Sequence, residues 1–369
     1  MKPLLKWPGG KSREIARFYG MIPPFARYIE PFFGGGALYF HLMPEQAAIN
    51  DVSRDLMDFY RMVQQPTAEF EALLRAYAAG FDGVVALAGQ HRSALLCLLT
   101  RLSEDPDIAR SETTALLTSW REHLSVLLSP LCLDLDAFLQ ALERALWDKL
   151  RRTAHNHSKK PFSRTDLEEN LITGLASGYY LFFRDLYNQY AAGLGDPSPA
   201  QRAANFYFVR EMCYGAMFRY NAKGEFNIPY GGMSYNHKNL TAKVDALFQP
   251  ELQALLSRTS LSCMDFEAFL AAVQPTEEDF LFLDPPYDTE FSDYEGAAFT
   301  KLDQARLAVA LSRTPAKFLL IIKNTDFIQG LYGQGFHVWK FDKQYAYNVR
   351  SRNDRSAEHL IVTNYSLPL

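Results

Sequence analysis

The sequence predicts an α/β fold in which the sheet-forming domain is split by a long, largely helical insertion. Strand patterns surround a glycine-rich loop within the first 63 residues, and strand patterns return only after residue 258. Between them, residues 66–150 show the spacing of successive amphipathic helices without a convincing strand. We therefore predict a discontinuous α/β domain made of residues 1–63 and 258–369, interrupted by an insertion of residues 64–257.

The N-terminal elements predict a βαβ unit. Residues 27–30 have the pattern of a short strand, residues 31–36 form a glycine-rich loop, and residues 37–42 begin a helix. A second strand at residues 47–50 ends at Asp51, and Ser53 is a suitable N-cap for the helix that follows. Strand, glycine loop, helix and strand in this order are typical of α/β proteins.

The rest of the chain supplies further strands and the insertion. Strand patterns occur at residues 260–264, 280–283, 318–322, 336–341 and 360–363. Within the insertion, the basic and polar residues 151–161 predict a loop, and the aromatic run at 179–183 has the apolar spacing of a helix core. Residues 219–232 are rich in Gly and Asn, which favours turns and short strands.

The amino-acid composition excludes several classes of protein. A chain of 369 residues exceeds one usual hydrophobic core, and 48% hydrophobic with 22% charged residues is typical of a soluble globular protein. The net charge of −4 excludes a generally basic protein but leaves room for a local basic groove. No apolar run is long enough for a signal peptide or membrane span, so we expect a cytoplasmic protein without a membrane partner. The four cysteines form no CxxC pair, and no metal site is expected.

The first chemical signal is the glycine loop Phe32-x-Gly34-x-Gly36, with Asp51 at the end of the next strand. Glycines there permit a tight turn and a close approach to a ligand, and the acid can accept both hydroxyls of a ribose. Tyr39 stands in place of the third glycine of the dinucleotide fingerprint. The pattern therefore favours a nucleoside ligand over NAD, with a structural turn beside a surface Asp as the alternative.

A second glycine turn lies near the N-terminus. The segment Pro8-Gly9-Gly10-Lys11-Ser12 is similar to the end of a phosphate-binding loop. Leu5 occupies the position of that loop's first glycine and no strand precedes it, so an ATPase is excluded. Trp7 and Lys11 flank the turn and can present a ring and a cation to a ligand.

The third signal is an apolar strand, residues 280–283, that leads directly into Asp284-Pro285-Pro286-Tyr287. Open α/β sheets bind ligands at this end of their strands. The Asp284 carboxylate and the Pro285 carbonyl are two acceptors held by stiff backbone, and Tyr287 offers a stacking face. This arrangement suits an exocyclic amino group on a planar base, whose nitrogen becomes more nucleophilic when both its hydrogens are accepted.

Taken in order, the motifs resemble the D12-class (Dam-like) DNA adenine-N6 methyltransferases. The matching segments span nearly the whole chain and comprise Lys6-Trp7-Pro8-Gly9-Gly10-Lys11, Glu30-Pro31-Phe32-Phe33-Gly34-Gly35-Gly36, Asn50-Asp51, Arg219-Tyr220-Asn221, Gly224-Glu225-Phe226-Asn227-Ile228-Pro229, Asp265-Phe266 and Asp284-Pro285-Pro286-Tyr287. The resemblance implies a Rossmann-like sheet that binds S-adenosylmethionine, with the insertion as the target-recognition domain.

The resemblance also implies a role for each cofactor-site residue. Trp7 and Lys11 are expected near the methionine end of S-adenosylmethionine, and Phe32, Gly34 and Gly36 beneath it. Asp51 is expected to hold the ribose, and Asp265 to accept from the adenine amino group. The catalytic segment Asp284, Pro285, Pro286 and Tyr287 would receive a flipped adenine, whose N6 takes the methyl group by direct in-line displacement.

Sequence recognition is expected in the insertion. The resemblance assigns base reading to Tyr214, Met217, Arg219 and Pro229. GATC-reading relatives carry Asn-Gly where this chain has Gly215 and Ala216, so we expect a recognition site other than GATC.

Basic segments are expected to bind phosphate. Lys159 and Lys160 belong to the first such segment, and a second spans residues 340–355. The alternative for each segment is a solvated surface.

The resemblance also implies a substrate and protein partners, and alternative functions remain open. We expect double-stranded DNA as substrate in a bacterial or phage setting, as part of DNA modification or restriction–modification with a cognate endonuclease. Apolar helices of the insertion, such as residues 95–99, either pack only within the insertion or form a homodimer contact, which would suit a palindromic site. Methylation of another planar amine, an RNA base or a glutamine side chain, is the alternative reaction. A catalytically silent DNA-binding regulator would be expected to lose Asp284 or the glycine loop.

Overall fold

The computed structural model describes residues 1–131, 133–286, 293–294, 297–344 and 356–366. The chain divides into two compact units. The first comprises residues 1–3, 7–64 and 250–369, and the second comprises residues 4–6 and 65–249.

A seven-stranded sheet forms the centre of the first unit. Its strands are β1 (Arg27–Glu30), β2 (Ala47–Asn50), β3 (Thr259–Ser262), β4 (Asp279–Leu283), β7 (Lys317–Lys323), β8 (His337–Gln344) and β9 (Ser356–Thr363), in the order β3-β2-β1-β4-β7-β9-β8. The first five strands in that order are parallel, whereas β9 is antiparallel to both β7 and β8. Two short strands, β5 (Asp293–Tyr294) and β6 (Ala297–Ala298), pair separately.

Burial explains why these segments form strands. Every residue of β4 is buried, and β7 is buried from Phe318 to Ile322, as parallel strands covered on both faces require. Each expected strand is present, with ends that differ from the sequence pattern by a few residues. The predicted Rossmann-like α/β class is confirmed, and its chain order changes direction between the neighbours β1 and β4, which is where such sheets bind ligands.

Helices cover the sheet of the first unit. Their bounds are α1 (Ile15–Phe18), α2 (Ala37–Leu42), α3 (Arg54–Gln64), α12 (Pro250–Ser257), α13 (Phe266–Val273), α14 (Lys301–Arg313) and α15 (Asp326–Tyr332). As expected, Ser53 caps α3, since its Oγ accepts from the Leu56 amide at 3.4 Å.

The predicted division differs from that in the structure at residues 4–6, which were assigned to the α/β domain but group with the second unit, and at residues 250–257. The sequence assigned residues 250–257 to the insertion, but α12 groups with the first unit. Its Leu252, Leu255 and Leu256 are buried, and the Gln64 side chain donates to the Leu256 carbonyl at 2.7 Å. A short helix that precedes a strand cannot be assigned from its own sequence, because its partner Gln64 lies 192 residues before Leu256.

The second unit is helical for most of its length. Its helices are α4 (Ala68–Gln90), α5 (Arg92–Glu104), α6 (Pro106–Ser119), α7 (Arg121–Leu128), α8 (Leu135–Lys159), α9 (Arg164–Ala191), α10 (Pro199–Met212) and α11 (Leu240–Leu247). The aromatic run 179–183 lies in α9 as predicted, where Tyr179 packs against Phe183 and Phe208 with ring centroids 4.8 and 5.4 Å away. Leu95, Leu98 and Leu99 of α5 are buried within this unit.

The loop predicted for residues 151–161 is wrong, because α8 continues to Lys159. Leu150 and Thr153 extend its buried stripe, and the Lys160 amide still donates to the Asn156 carbonyl at 2.9 Å. The basic side chains occupy the solvent face, which a long amphipathic helix accommodates. The break comes only at Pro161, since proline restricts the residue before it.

Among the described residues, one helix, α4, is long and apolar enough to cross a membrane. The number of such spans rises to two if the bent pair of segments Arg121–Leu131 and Leu135–Lys159 is counted as a single span. These properties are equally typical of the core helix of a soluble protein. Phe70, Leu74, Phe81 and Val84 of α4 are buried within the second unit.

Candidate active site

Four neighbouring strands deliver the candidate residues to one edge of the sheet. The glycine loop follows β1, Asp51 follows β2, Asp265 comes shortly after β3, and Asp284 follows β4. Because these strands are parallel, their carboxyl ends meet at the same edge.

A cavity of about 310 Å³ lies at that edge, within the first unit. All eight residues that the sequence assigned to a cofactor contribute to its wall: Trp7, Lys11, Phe32, Gly34, Gly36, Asp51, Asp265 and Asp284. Pro285 and Pro286 also line it. Tyr287 lies outside the described residues.

The glycine loop is shaped by two left-handed residues. Gly34 has φ 49° and Gly36 has φ 62°, values that favour glycine. A Cβ on Gly34 would lie 2.6 Å from Cδ1 of Trp7, and one on Gly36 would lie 2.4 Å from the Phe33 ring. Gly34 therefore allows the Trp7 ring to pack directly on the loop backbone and form part of the cavity wall.

Asp51 is held against the glycine loop by backbone hydrogen bonds. Its Oδ2 accepts from the Gly34 amide at 2.8 Å, and its Oδ1 accepts from the Ser53 amide at 3.0 Å. Burial raises the pKa of Asp51, and these amide donors oppose the shift. Each carboxylate oxygen can accept a further hydrogen bond, so a fixed acceptor pair faces the cavity.

Asn50, the last residue of β2, joins two of the loops. Its Nδ2 donates to the carbonyls of Pro31 at 3.0 Å and Met264 at 2.9 Å, and its Oδ1 accepts from the Met264 amide at 3.0 Å. The side chain is buried. It thereby fixes the loop before Asp265 relative to the glycine loop, a role that the sequence pattern did not reveal.

The Lys11 side chain forms an ion pair with Asp284. The ammonium is buried, forms an ion pair with both carboxylate oxygens of Asp284, and donates to the Gly9 carbonyl at 3.0 Å. Asp284 is 19% exposed. The cation that the sequence placed near a ligand therefore also orients the first residue of the Asp-Pro-Pro segment.

Glu30, at the end of β1, is an additional acid in the cavity wall. Burial raises its pKa well above the usual range, and the Asp284 and Asp51 carboxylates raise it further. The Tyr28 hydroxyl donates to Glu30 Oε2 at 2.8 Å and opposes the shift.

Aromatic rings surround another part of the cavity. Phe32 lies 5.4 Å from Phe266 and 5.5 Å from Phe299, measured between ring centroids. Asp265 begins α13 beside these rings, and its Oδ1 accepts from the Glu267 amide at 3.0 Å. An apolar slot lined by these rings, with a carboxylate at its margin, matches the chemistry of a purine that carries an amino group.

Two residues of α14 support this site. Gln304 is buried and donates to the Pro286 carbonyl at 2.9 Å. Arg306 forms ion pairs with Asp265. No sequence pattern indicated either residue, because their partners belong to other elements.

The predicted base-reading residues lie on a hairpin-like segment of the second unit. Isolated bridges join Cys213 to Tyr230 and Tyr220 to Phe226. Arg219 and Pro229 are exposed, and Tyr214 and Met217 are half-buried. The Arg219 side chain donates to the Asn227 carbonyl at 3.2 Å through Nε, which holds it across the segment.

A buried arginine supports that segment from within the same unit. Arg210 donates through Nη1 to the Met217 carbonyl at 2.9 Å, and its guanidinium carbon lies 3.9 Å from the centroid of the Phe218 ring. Cation–π contact of this kind is strongest where water is excluded. Arg210 therefore fixes the backbone between Tyr214 and Arg219.

Lys159 and Lys160 are exposed at the end of α8. The second basic segment lies largely outside the described residues. Across the ranges that the structure describes, no group of three His, Cys, Asp or Glu residues is arranged to hold a metal ion.

The sheet order, the glycine loop and the Asp-Pro-Pro segment after β4 together define a methyltransferase of Rossmann-like fold. Comparison with known families gives the particular class: residues 7–81 and 145–347 match the D12 class N6 adenine-specific DNA methyltransferases. The chain belongs to this family, and its reaction is the methylation of adenine N6 in DNA.

Individual relatives agree with this membership. The chain is 24% identical to the Type II methyltransferase M.CviBI of Paramecium bursaria Chlorella virus NC1A, over 99% of this chain and all of that protein. It is 27% identical to the Type II methyltransferase M.MjaIII of Methanocaldococcus jannaschii, over 99% of each chain. It is 25% identical to the DNA N-6-adenine-methyltransferase of Escherichia phage P1, over 91% of this chain and 32% of that protein.

Proposed function

We propose that the protein is a site-specific methyltransferase of double-stranded DNA that binds S-adenosylmethionine in the cavity at the end of β1, β2, β3 and β4. The observation that carries the proposal is the convergence of the eight candidate residues on one cavity. The donors and acceptors fit that cofactor. The Phe32, Phe266 and Phe299 rings suit its adenine, and the fixed Asp51 carboxylate suits its ribose.

The other end of the cavity combines Trp7, Lys11 and Asp284. A tryptophan face attracts a cationic group such as a sulfonium. When bound, the cofactor supplies the methyl group that adenine N6 accepts. The Trp7 ring, packed on Gly34, is the wall that would orient this end of the ligand.

The Asp-Pro-Pro segment is proposed to receive the target base. The Asp284 carboxylate and the Pro285 carbonyl would accept the two N6 hydrogens, which frees the nitrogen lone pair. Lys11 would keep the Asp284 carboxylate oriented during this step. Extrusion of the adenine costs a few kcal/mol, which stacking on Tyr287, of order 1–3 kcal/mol, would partly offset.

DNA recognition is proposed for the second unit. Arg219 can donate to guanine O6 and N7, with Tyr214, Met217 and Pro229 contacting neighbouring bases. Gly215 offers no side chain to a base edge, so the recognition site is proposed to differ from GATC. Lys159 and Lys160 would bind phosphates and contribute affinity without sequence preference.

The biological setting is part of the same proposal. We place the enzyme in the cytoplasm of a bacterial or phage-infected cell, acting in DNA modification with a cognate restriction endonuclease. Two of the relatives are named Type II methyltransferases, which supports the restriction–modification part of this proposal. A homodimer for a palindromic site is also proposed, through a face of the insertion other than Leu95, Leu98 and Leu99, which are buried within the second unit.

Calorimetric titration of Asp51→Ala tests the cofactor assignment. The variant should weaken binding of S-adenosylmethionine while duplex DNA binds as it does to the native protein. Glu45→Ala is the matched control, because Glu45 is an acid of the same unit with an 86% exposed side chain. Loss of DNA binding with unchanged cofactor affinity would contradict the assignment of Asp51.

A further inference from the structure

Arg306 of α14 forms ion pairs with three carboxylates beside the aromatic part of the cavity. Its Nη2 lies 2.7 Å from Asp265 Oδ1, and its Nη1 lies 3.3 Å from Asp265 Oδ2. The same guanidinium donates to Asp303 Oδ1 at 2.9 Å and to Glu267 Oε2 at 2.9 Å. Asp265 and Asp303 both line the cavity, whereas Glu267 does not.

The geometry of the pair fixes the Asp265 carboxylate. The planar guanidinium contacts each oxygen through a different nitrogen, which fixes the plane of the carboxylate more strictly than the point charge of an ammonium does. Oδ1 accepts from both Arg306 and the Glu267 amide, whereas Oδ2 keeps a further acceptor position. Asp265 can therefore be held by Arg306 and still accept from a ligand through Oδ2.

Arg306 also contacts the ring that follows Asp265. Its guanidinium carbon lies 4.9 Å from the centroid of Phe266. Phe266 in turn lies 5.4 Å from Phe32 and 5.8 Å from Phe299. One side chain therefore supports both the carboxylate and one wall of the aromatic slot.

We propose that Arg306 is a positioning residue that makes the site selective for the amino group of the cofactor's adenine. This inference rests on the proposed assignment of Asp265 to that amino group. An exposed ion pair contributes little to stability by itself. The effect of Arg306 is therefore expected in ligand selectivity rather than in folding.

The test compares two ligands that differ at this amino group. S-adenosylhomocysteine carries the exocyclic amine, and S-inosylhomocysteine has a carbonyl oxygen in its place. A site built to accept from the amine rejects the analogue that lacks it. We expect the native protein to prefer S-adenosylhomocysteine by about tenfold or more in calorimetric Kd, since a hydrogen bond to a charged group is lost.

Arg306→Gln should reduce that preference to about threefold or less, with most of the change in the Kd of S-adenosylhomocysteine. Arg306→Lys keeps the charge but not the paired contacts, so it should give an intermediate ratio. Glu267→Gln is the matched control, because it removes a partner of Arg306 that does not line the cavity, and it should keep the native ratio.

The outcomes separate the inference from the proposed function. If the native protein does not discriminate between the ligands, the assignment of Asp265 is wrong. If the native protein discriminates and both Arg306 variants discriminate equally well, Arg306 is not a positioning residue and the assignment of Asp265 stands.

Discussion

Gly34 offers a direct test of how the glycine loop builds the cavity. An alanine at φ 49° costs about 1–2 kcal/mol, because an L side chain crowds its own backbone in the left-handed region. Its Cβ would also lie 2.6 Å from Trp7 Cδ1, so the ring must withdraw by roughly 0.8 Å to reach an ordinary contact of 3.4 Å. The Gly34→Ala variant should therefore lose both stability and the shape of the wall.

We expect Gly34→Ala to weaken binding of S-adenosylhomocysteine by at least about tenfold, because displacements near 1 Å at a binding site have large effects. Titration calorimetry gives the Kd, and thermal denaturation reports the loss of stability. Gly10→Ala is the matched control. Gly10 lines the same cavity, but a Cβ there meets its nearest atom, the Trp7 carbonyl oxygen, at 3.5 Å. Equal affinities of the two variants would refute the role of the Trp7–Gly34 contact.

Three further predictions concern other parts of the molecule. The raised pKa of Glu30 gives a stability contribution that is present below its unfolded pKa and lost as pH rises through the folded value. Glu30→Gln should therefore melt at a higher temperature than the native protein at pH 8, and the difference in melting temperature between the two proteins should be smaller at pH 5. The same difference at both pH values would contradict this prediction. Gln304→Met removes the hydrogen bond to Pro286 and should lower kcat by about tenfold with little change in cofactor Kd, as single-turnover kinetics and calorimetry would show; an unchanged kcat would count against it. Arg219→Ala should relax sequence preference, whereas Lys160→Ala should weaken binding to all duplexes and flatten its salt dependence; identical effects would contradict the division between reading and positioning.

The catalytic sheet was predictable because its signals are local. Apolar runs such as residues 280–283 identify strands, and the polar residues directly after them must lie at the carboxyl edge of a parallel sheet. Asp51 and Asp284 were found in this way, Phe32 as part of the glycine loop, and Asp265 from the family resemblance; all four line one cavity.

The supporting residues could not be predicted by the same reasoning. Asn50 and Gln304 act on backbone carbonyls of other elements, and no local pattern reports such a partner. The same applies to Arg306, whose acceptor Asp265 belongs to another helix. The prediction of a loop at 151–161 was wrong for a different reason. Basic residues on the solvent side of a helix have the composition of a loop, and only the buried Leu150 and Thr153 distinguish this helix from a loop.

Sequencing that detects N6-methyladenine tests the central claim most directly. The gene would be expressed in a host without its own adenine methylation, either in its native form or as Asp284→Ala. We predict N6-methyladenine in one recurring sequence context other than GATC with the native protein, and none with the variant, whose thermal denaturation should confirm that it is folded. An absence of N6-methyladenine with the native protein, or equal methylation with the variant, would contradict the account.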